Sequence, residues 1–255
     1  MADQAVPEPA SPQAPASPQA PASPEVASPE PAAPEAVCIA ERLGALGLAL
    51  PATTRLLAVS KGQPAGRIRE AVLAGQRSFG ESRLQEASAK QGQLLDLGPL
   101  DWHFIGRLQA NKARGVVRQF ATIHSLDSLD LARRLARIAA EERLRPQVFF
   151  QVKLRPDPGK GGFEPRELLG HWQELQALET LRPLGLMTIA PLGLQAAERR
   201  ALFEDCAALA RQLGLSELSM GMSGDWREAA AAGSTWVRIG SGLFGERSAV
   251  APAEL

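Results

Sequence analysis

The chain has 255 residues with 28 Lys and Arg against 28 Asp and Glu, so its formal charge is zero and no global basic field points to nucleic acid. Its two cysteines, Cys38 and Cys206, are too few for a disulfide framework and lack metal-ligand spacing, which makes a reducing compartment the expectation. No apolar run reaches the roughly 20 residues of a membrane span, and the N-terminus has the features of neither a secretory signal nor a transit peptide, so a cytoplasmic protein with no membrane partner is expected.

Residues 1–36 hold ten of the 20 prolines, five acidic residues and no basic or aromatic side chain, and they repeat the phrase Ala-Ser-Pro-Gln-Ala-Pro from Ala10 and again from Ala16. So little apolar surface cannot offset the entropy of ordering. A disordered tail is therefore expected over 1–36, with one folded domain over 37–255.

From Val37 onward, short runs with strand character alternate with longer helical patterns. The predicted strands are Leu56 to Ser60, Arg77 to Gly80, Trp102 to Gly106, Thr122 to Leu126, Gln147 to Leu154, Pro183 to Ile189, Glu217 to Gly221 and Trp236 to Gly240. Between them, Leu131, Leu135, Ile138 and Ala139 mark one side of a helix starting at Ser128. Phe203, Cys206, Ala207, Ala210 and Leu213 mark another that Gly214 is placed to end. Eight strand–helix units predict an α/β fold, a single (β/α)₈ TIM barrel, because right-handed crossovers join parallel strands and a closed barrel has no edge. The alternative is an open doubly wound sheet, which usually has fewer strands. In a barrel, chemistry belongs just after the strand ends.

Four motifs fall there. Ala58-Val59-Ser60-Lys61 ends the first predicted strand on a lysine, which is either a surface residue opening the next loop or an amine available for Schiff-base chemistry. Trp102 to Lys112 combines aromatic, imidazole and basic groups, but one short cluster in a neutral chain without a recognised RNA module does not make a nucleic-acid site. His103, His124 and His171 share no metal-ligand spacing and read as structural, so no metal site is expected. Ser219 to Asp225 follows strand seven. Ser223 there is expected to cap the helix from Trp226, and its hydroxyl and the free amides also suit a phosphate. Val237 to Gly245 carries Gly240, Gly242 and Gly245 in Gly-x-Gly-x-x-Gly spacing. The ten residues after Gly245 cannot hold the second strand and acidic residue of a dinucleotide fold, which leaves a glycine-rich final turn or a phosphate cradle with Ser241.

Taken in order, Ala58 to Lys61, Phe79-Gly80-Glu81, Trp102 to Gly106, Leu218 to Ser223 and Val237 to Gly240 resemble the pyridoxal phosphate homeostasis protein family over about Val37 to Arg247. The resemblance implies a barrel like the N-terminal domain of alanine racemase that binds pyridoxal 5′-phosphate and acts in homeostasis of vitamin B6 and amino-acid pools. By motif, Lys61 corresponds to the lysine holding the cofactor as a Schiff base. Ser223, Gly240 and Ser241 fall where the phosphate is held, with Met222 beside it, and Arg238 falls opposite the pyridine nitrogen. Four positions depart from the family pattern: Ser82 where Asn is common, Arg107 where Pro is usual, Gly161 where Ser is frequent, and Ser241 where Thr is usual. Only the last keeps its chemistry.

The resemblance also implies a carrier without turnover and so no catalytic residue, acting as a monomer with cofactor-dependent apo-enzymes as partners. A racemase using the same cofactor is the alternative. It needs an opposing tyrosine from a second domain, and the sequence contains no tyrosine. A phosphosugar-handling barrel enzyme is a third reading, but it leaves Lys61 and Arg238 unexplained as a pair.

Overall fold

The structure is a computed structural model that describes Met1 and residues 38–245. Apart from Met1, the tail expected over 1–36 lies outside the described residues, as does the chain beyond Gly245.

Eight parallel strands close in sequence order into a barrel: β1 (Arg55–Val59), β2 (Ser78–Glu81), β3 (Asp101–Phe104), β4 (Thr122–Leu126), β5 (Gln147–Gln151), β6 (Arg182–Met187), β7 (Glu217–Met222) and β8 (Trp236–Ile239). β8 returns to pair with β1, with Leu57 opposite Arg238. Helix α1 (Ile39–Ala49) precedes the barrel. The crossovers carry α2 (Ala65–Leu73), α3 (Leu84–Gln93), α4 (Ala113–Gln119), α5 (Leu129–Glu142), α6 (Pro165–Gln176), α7 (Ala196–Gln212) and α8 (Trp226–Ala231), and the short α9 (Ser241–Phe244) follows β8. The expected TIM barrel is the observed one, and the open sheet is excluded by the β1–β8 pairing.

Local chemistry explains the element ends. Ser128 caps α5 by accepting from the Leu131 amide at 3.3 Å, and Leu131, Leu135, Ile138 and Ala139 are buried. Gln195 and Glu198 form a capping box on α7, whose chain turns away at Gly214, where φ of +71° suits glycine. The fifth strand is shorter than expected: Val152 leaves β5 to bridge Phe163, and the chain then turns through Pro156 and Pro158.

Alternation along the strands separates two apolar layers. Ala58, Phe79, Val237 and Ile239 pack outward with Ile68 and Val72 of α2, while Leu57, Phe149, Met187 and Trp236 fill the barrel interior. Each fully buried side chain of this size contributes roughly 1.5–3 kcal/mol of transfer free energy. β6 and β7 approach so closely at Gly185 that a Cβ there would stand 1.7 Å from the Glu217 carbonyl oxygen. The strands are parallel, so all their C-terminal ends open on one rim.

Candidate functional site

Lys61 follows Ser60 at the end of β1 and stands exposed at that rim. Its two chain neighbours are fixed from below. Ser60 donates its hydroxyl to Glu81 Oε1 at 2.7 Å, and its carbonyl accepts from Lys90 Nζ at 2.7 Å. The Gly62 amide donates to Glu86 Oε1 at 2.5 Å. Lys90 joins the two carboxylates, with its Nζ 2.7 Å from Glu81 Oε1 and 2.6 Å from Glu86 Oε1. Glu81 and Lys90 are buried. Burial raises the Glu81 pKa against the hydrogen bonds from Lys90 and Ser60. At Glu86, burial is outweighed by hydrogen bonds from Lys90 and the Gly62 amide, and its pKa is lowered. A buried ion-pair network thus holds the backbone on both sides of an exposed amine.

On the far side of the β1–β8 seam, Arg238 is buried within β8. Its Nη1 donates to the Ser219 carbonyl at 2.5 Å and to Ser219 Oγ at 2.9 Å, and Nη2 donates to the Thr188 carbonyl at 2.9 Å. Burial lowers its pKa to about 10, opposed by Asp225 and Cys206, so it remains a cation at neutral pH. Met222, which pairs with Arg238 across the strands, is 37% exposed at the rim.

The loops after β7 and β8 meet: Ser223 Oγ accepts from the Gly242 amide at 3.4 Å. This corrects the expected helix cap. Asp225, not Ser223, occupies the N-cap position of α8, and its Oδ1 accepts from the Met222 amide at 2.6 Å. The tight turn from Met222 to Asp225, closed by a backbone bond of 3.0 Å, leaves Ser223 at its corner, directed at the start of α9. Gly240 lies against the end of β1, where a Cβ would sit 3.5 Å from the Val59 carbonyl oxygen. Ser241 opens α9 and is exposed. The structure therefore places Lys61, Met222, Ser223, Arg238, Gly240 and Ser241 on adjacent strand ends β1, β7 and β8 at one rim. Amines, amides and hydroxyls dominate this donor set, which suits an anionic ligand with a carbonyl group.

The departures from the family pattern have structural partners. Gly106 packs on Ser82 so tightly that a Cβ would lie 2.2 Å from the Ser82 carbonyl oxygen, which ties the β2 and β3 loops together by backbone alone. A Cβ on Gly161 would lie 2.7 Å from Asp127 Oδ2, so the carboxylate takes the space that a serine would need. Asp127 has its pKa raised by burial, against the nearby positive charge of Arg107.

Sequence reasoning missed Lys90, Glu86 and Thr188, and met Ser219 as part of a motif without giving it a role. Its only local signal for them was the Glu86–Lys90 spacing of four on α3. A cavity of about 370 Å³ lies elsewhere, against Leu43, Leu50, Pro51, Leu56 and Gln76, and its lining carries no charged side chain. The chemistry, not the volume, locates the site. Among the described residues no cluster of three or more His, Cys, Asp or Glu could hold a metal ion, and no helix is long and apolar enough to cross a membrane.

An eight-stranded parallel barrel with a lysine after β1 and joined loops after β7 and β8 fits the alanine racemase N-terminal domain class, and the family described as "Alanine racemase, N-terminal domain" matches residues 39–248. Pyridoxal phosphate homeostasis proteins of Synechocystis and Pseudomonas aeruginosa are 48% and 44% identical, covering 78% and 80% of this chain and 94% and 89% of the relatives. The chain belongs to the pyridoxal phosphate homeostasis protein family. PipY of Synechococcus elongatus, solved with pyridoxal phosphate bound, superposes with a TM-score of 0.79 at 51% identity, over 81% of this chain and all of that one. The same protein solved without the cofactor gives 0.80 at 52% identity. Alanine racemase of Clostridium difficile, at 16% identity and a TM-score of 0.67, shares the fold.

Proposed function

We propose that this chain binds pyridoxal 5′-phosphate at the rim formed by β1, β7 and β8 and serves vitamin B6 homeostasis as a carrier without turnover. The observation that carries the reading is the convergence of an exposed amine (Lys61), a buried cation (Arg238) and the Ser223–Gly242 loop junction on neighbouring strand ends. The cofactor-bound PipY structure supports it.

Bound pyridoxal phosphate would supply an aldehyde open to attack by a primary amine, a phosphate dianion and a pyridine ring that can act as an electron sink. Lys61 is the amine, and the Glu81–Lys90–Glu86 network keeps its backbone in place. Ser223 and Ser241 offer hydroxyls, and the chain at Gly240 offers close backbone approach, to the phosphate. Met222, exposed at the same rim, would lie beside it. Arg238, a cation at neutral pH with no acceptor, would lie toward the pyridine nitrogen and would disfavour its protonation, which would weaken the electron sink. The chain contains no tyrosine to act as an opposing base. Both features favour holding the cofactor over turning substrates over.

On the same reading the protein works as a monomer in the cytoplasm and passes its cofactor to dependent apo-enzymes, for which the exposed position of Lys61 leaves a route of transfer. The test is an absorption titration with pyridoxal phosphate, followed by chiral analysis of L-alanine incubated with the loaded protein. Saturable binding without D-alanine formation above free cofactor is expected. Lys61-dependent racemisation at ordinary enzyme rates, about 1–10³ per second, would overturn the carrier reading.

A further inference from the structure

β3, β4, β7 and β8 each contribute one polar side chain to the packed barrel interior: His103, His124, Ser219 and Arg238, all buried. Their contacts form a single line. Arg238 Nη1 lies 2.9 Å from Ser219 Oγ, Ser219 Oγ lies 2.8 Å from His124 Nδ1, His124 Nε2 lies 2.8 Å from His103 Nδ1, and His103 Nε2 lies 2.7 Å from Asp101 Oδ2. Asp101 opens β3 at the opposite end of the barrel, with its side chain 44% exposed.

The chemistry of the end group fixes the direction of every bond. A guanidinium can only donate, so Ser219 Oγ accepts from Arg238, and its own hydrogen is directed to His124 Nδ1. His124 then carries its proton on Nε2 and donates it to His103 Nδ1. His103 in turn carries its proton on Nε2 and donates it to the Asp101 carboxylate. The reverse order would make the Ser219 oxygen accept twice, from His124 Nδ1–H and from Arg238, with its own hydrogen left over. It would strand that hydrogen in a fully buried site, at a cost of about 1–3 kcal/mol. The rings are held as well: His124 stacks on Phe149 with centroids 4.3 Å apart, and His103 packs on Trp236 at 4.9 Å.

We propose that this directed hydrogen-bond chain aims the Arg238 guanidinium at the rim, with Ser219 and His124 as positioning residues and Asp101 as the distant anchor. Its consequence for the cofactor rests on the reading that Arg238 faces the pyridine nitrogen. The chain itself stands on the geometry alone. The carbonyls of Ser219 and Thr188 accept from Nη1 and Nη2, and the Ser219 hydroxyl takes the second hydrogen of Nη1.

The test combines two readouts. Long-range ¹H–¹⁵N spectra of the full-length protein at pH 8 report the tautomers of its three histidines, with His171→Gln used for assignment. Both His103 and His124 should show Nε2 protonated and Nδ1 unprotonated. Arg238 should show resolved, slowly rotating Nη signals. Ser219→Ala should average those signals, weaken pyridoxal phosphate binding about three- to tenfold and shift the absorption of the bound cofactor. Ser219→Thr, which keeps the hydroxyl, should restore all three. An Nδ1–H tautomer at His124, or wild-type Arg238 signals in Ser219→Ala, would overturn the proposal. If the wild type takes up no cofactor, the binding reading fails, while the tautomer and guanidinium signals still decide this one.

Discussion

The ammonium of Lys90 lies 2.7 Å from the Glu81 carboxylate and donates at the same distance to the carbonyl of Ser60, the residue immediately before Lys61. A buried ion pair is weak evidence for stability in itself, because desolvation offsets the attraction, but removing one partner leaves the other charge buried and unpaired. Here the pair also fixes the strand end from which the reactive amine projects.

Lys90→Met should therefore cost about 3–5 kcal/mol in urea unfolding, and Glu81→Gln combined with Lys90→Met should recover part of that loss. Cofactor affinity should fall in the single variant although Lys90 is buried beneath the rim. A double variant no more stable than Lys90→Met would show that the unpaired carboxylate is not the source of the cost.

The loop junction after β7 and β8 predicts that Ser223→Ala and Ser241→Ala each weaken pyridoxal phosphate binding by about 1.5–3 kcal/mol, the range for hydrogen bonds to a charged group. Equilibrium titration checks it. Wild-type affinity in both variants would move the phosphate to another part of the rim.

Two glycines with close neighbours, Gly185 in β6 and Gly161 in the loop after β5, should respond to very different degrees. Gly185→Ala drives a Cβ into the Glu217 backbone, at 1.7 Å from its oxygen and 2.4 Å from its carbonyl carbon, so β6 and β7 must separate. A loss of about 4 kcal/mol or more, or failure to fold, is expected. Gly161→Ala meets only the tip of the Asp127 side chain, which can rotate away, so a change within about 1 kcal/mol is expected. Thermal unfolding of the two variants side by side distinguishes them, and equal losses would contradict the packing described.

Much of this was legible in the sequence. The eight strands lie within a few residues of their expected positions because each is a short apolar run bounded by turn residues, and β5 ends early only because Val152 finds a partner in Phe163. The rim residues were legible as motifs at strand ends. Contacts that join distant parts of the chain were not: His124 meets Ser219 across 95 positions, and no local pattern encodes that bond. Ser223 failed as a helix cap because the Met222–Asp225 turn places Asp225 at the start of α8 and leaves the Ser223 hydroxyl to accept from the distant Gly242 amide, a contact no local pattern encodes.

Acid should destabilise the protein through His124. Burial first, then the neighbouring His103 and the Arg238 cation, hold its pKa well below the ordinary 6.5. In the unfolded chain this imidazole takes up a proton near its ordinary pKa while the folded state excludes it, so stability is lost as pH falls below about 6.5, by up to about 1.4 kcal/mol per pH unit. Urea unfolding of wild type and His124→Asn at pH 7.5, 6.5 and 5.5 should show the variant losing less over the lower interval. Parallel losses in the two proteins would contradict this assignment.

Borohydride reduction of the loaded protein and peptide mapping would show whether Lys61 is the amine that takes the cofactor. The chain has only five lysines, Lys61, Lys90, Lys112, Lys153 and Lys160, so the assignment is unambiguous. A single pyridoxyl adduct on Lys61, absent from Lys61→Ala while that variant retains its fold, is the predicted result. A stable adduct on another lysine with Lys61 unmodified would contradict the account.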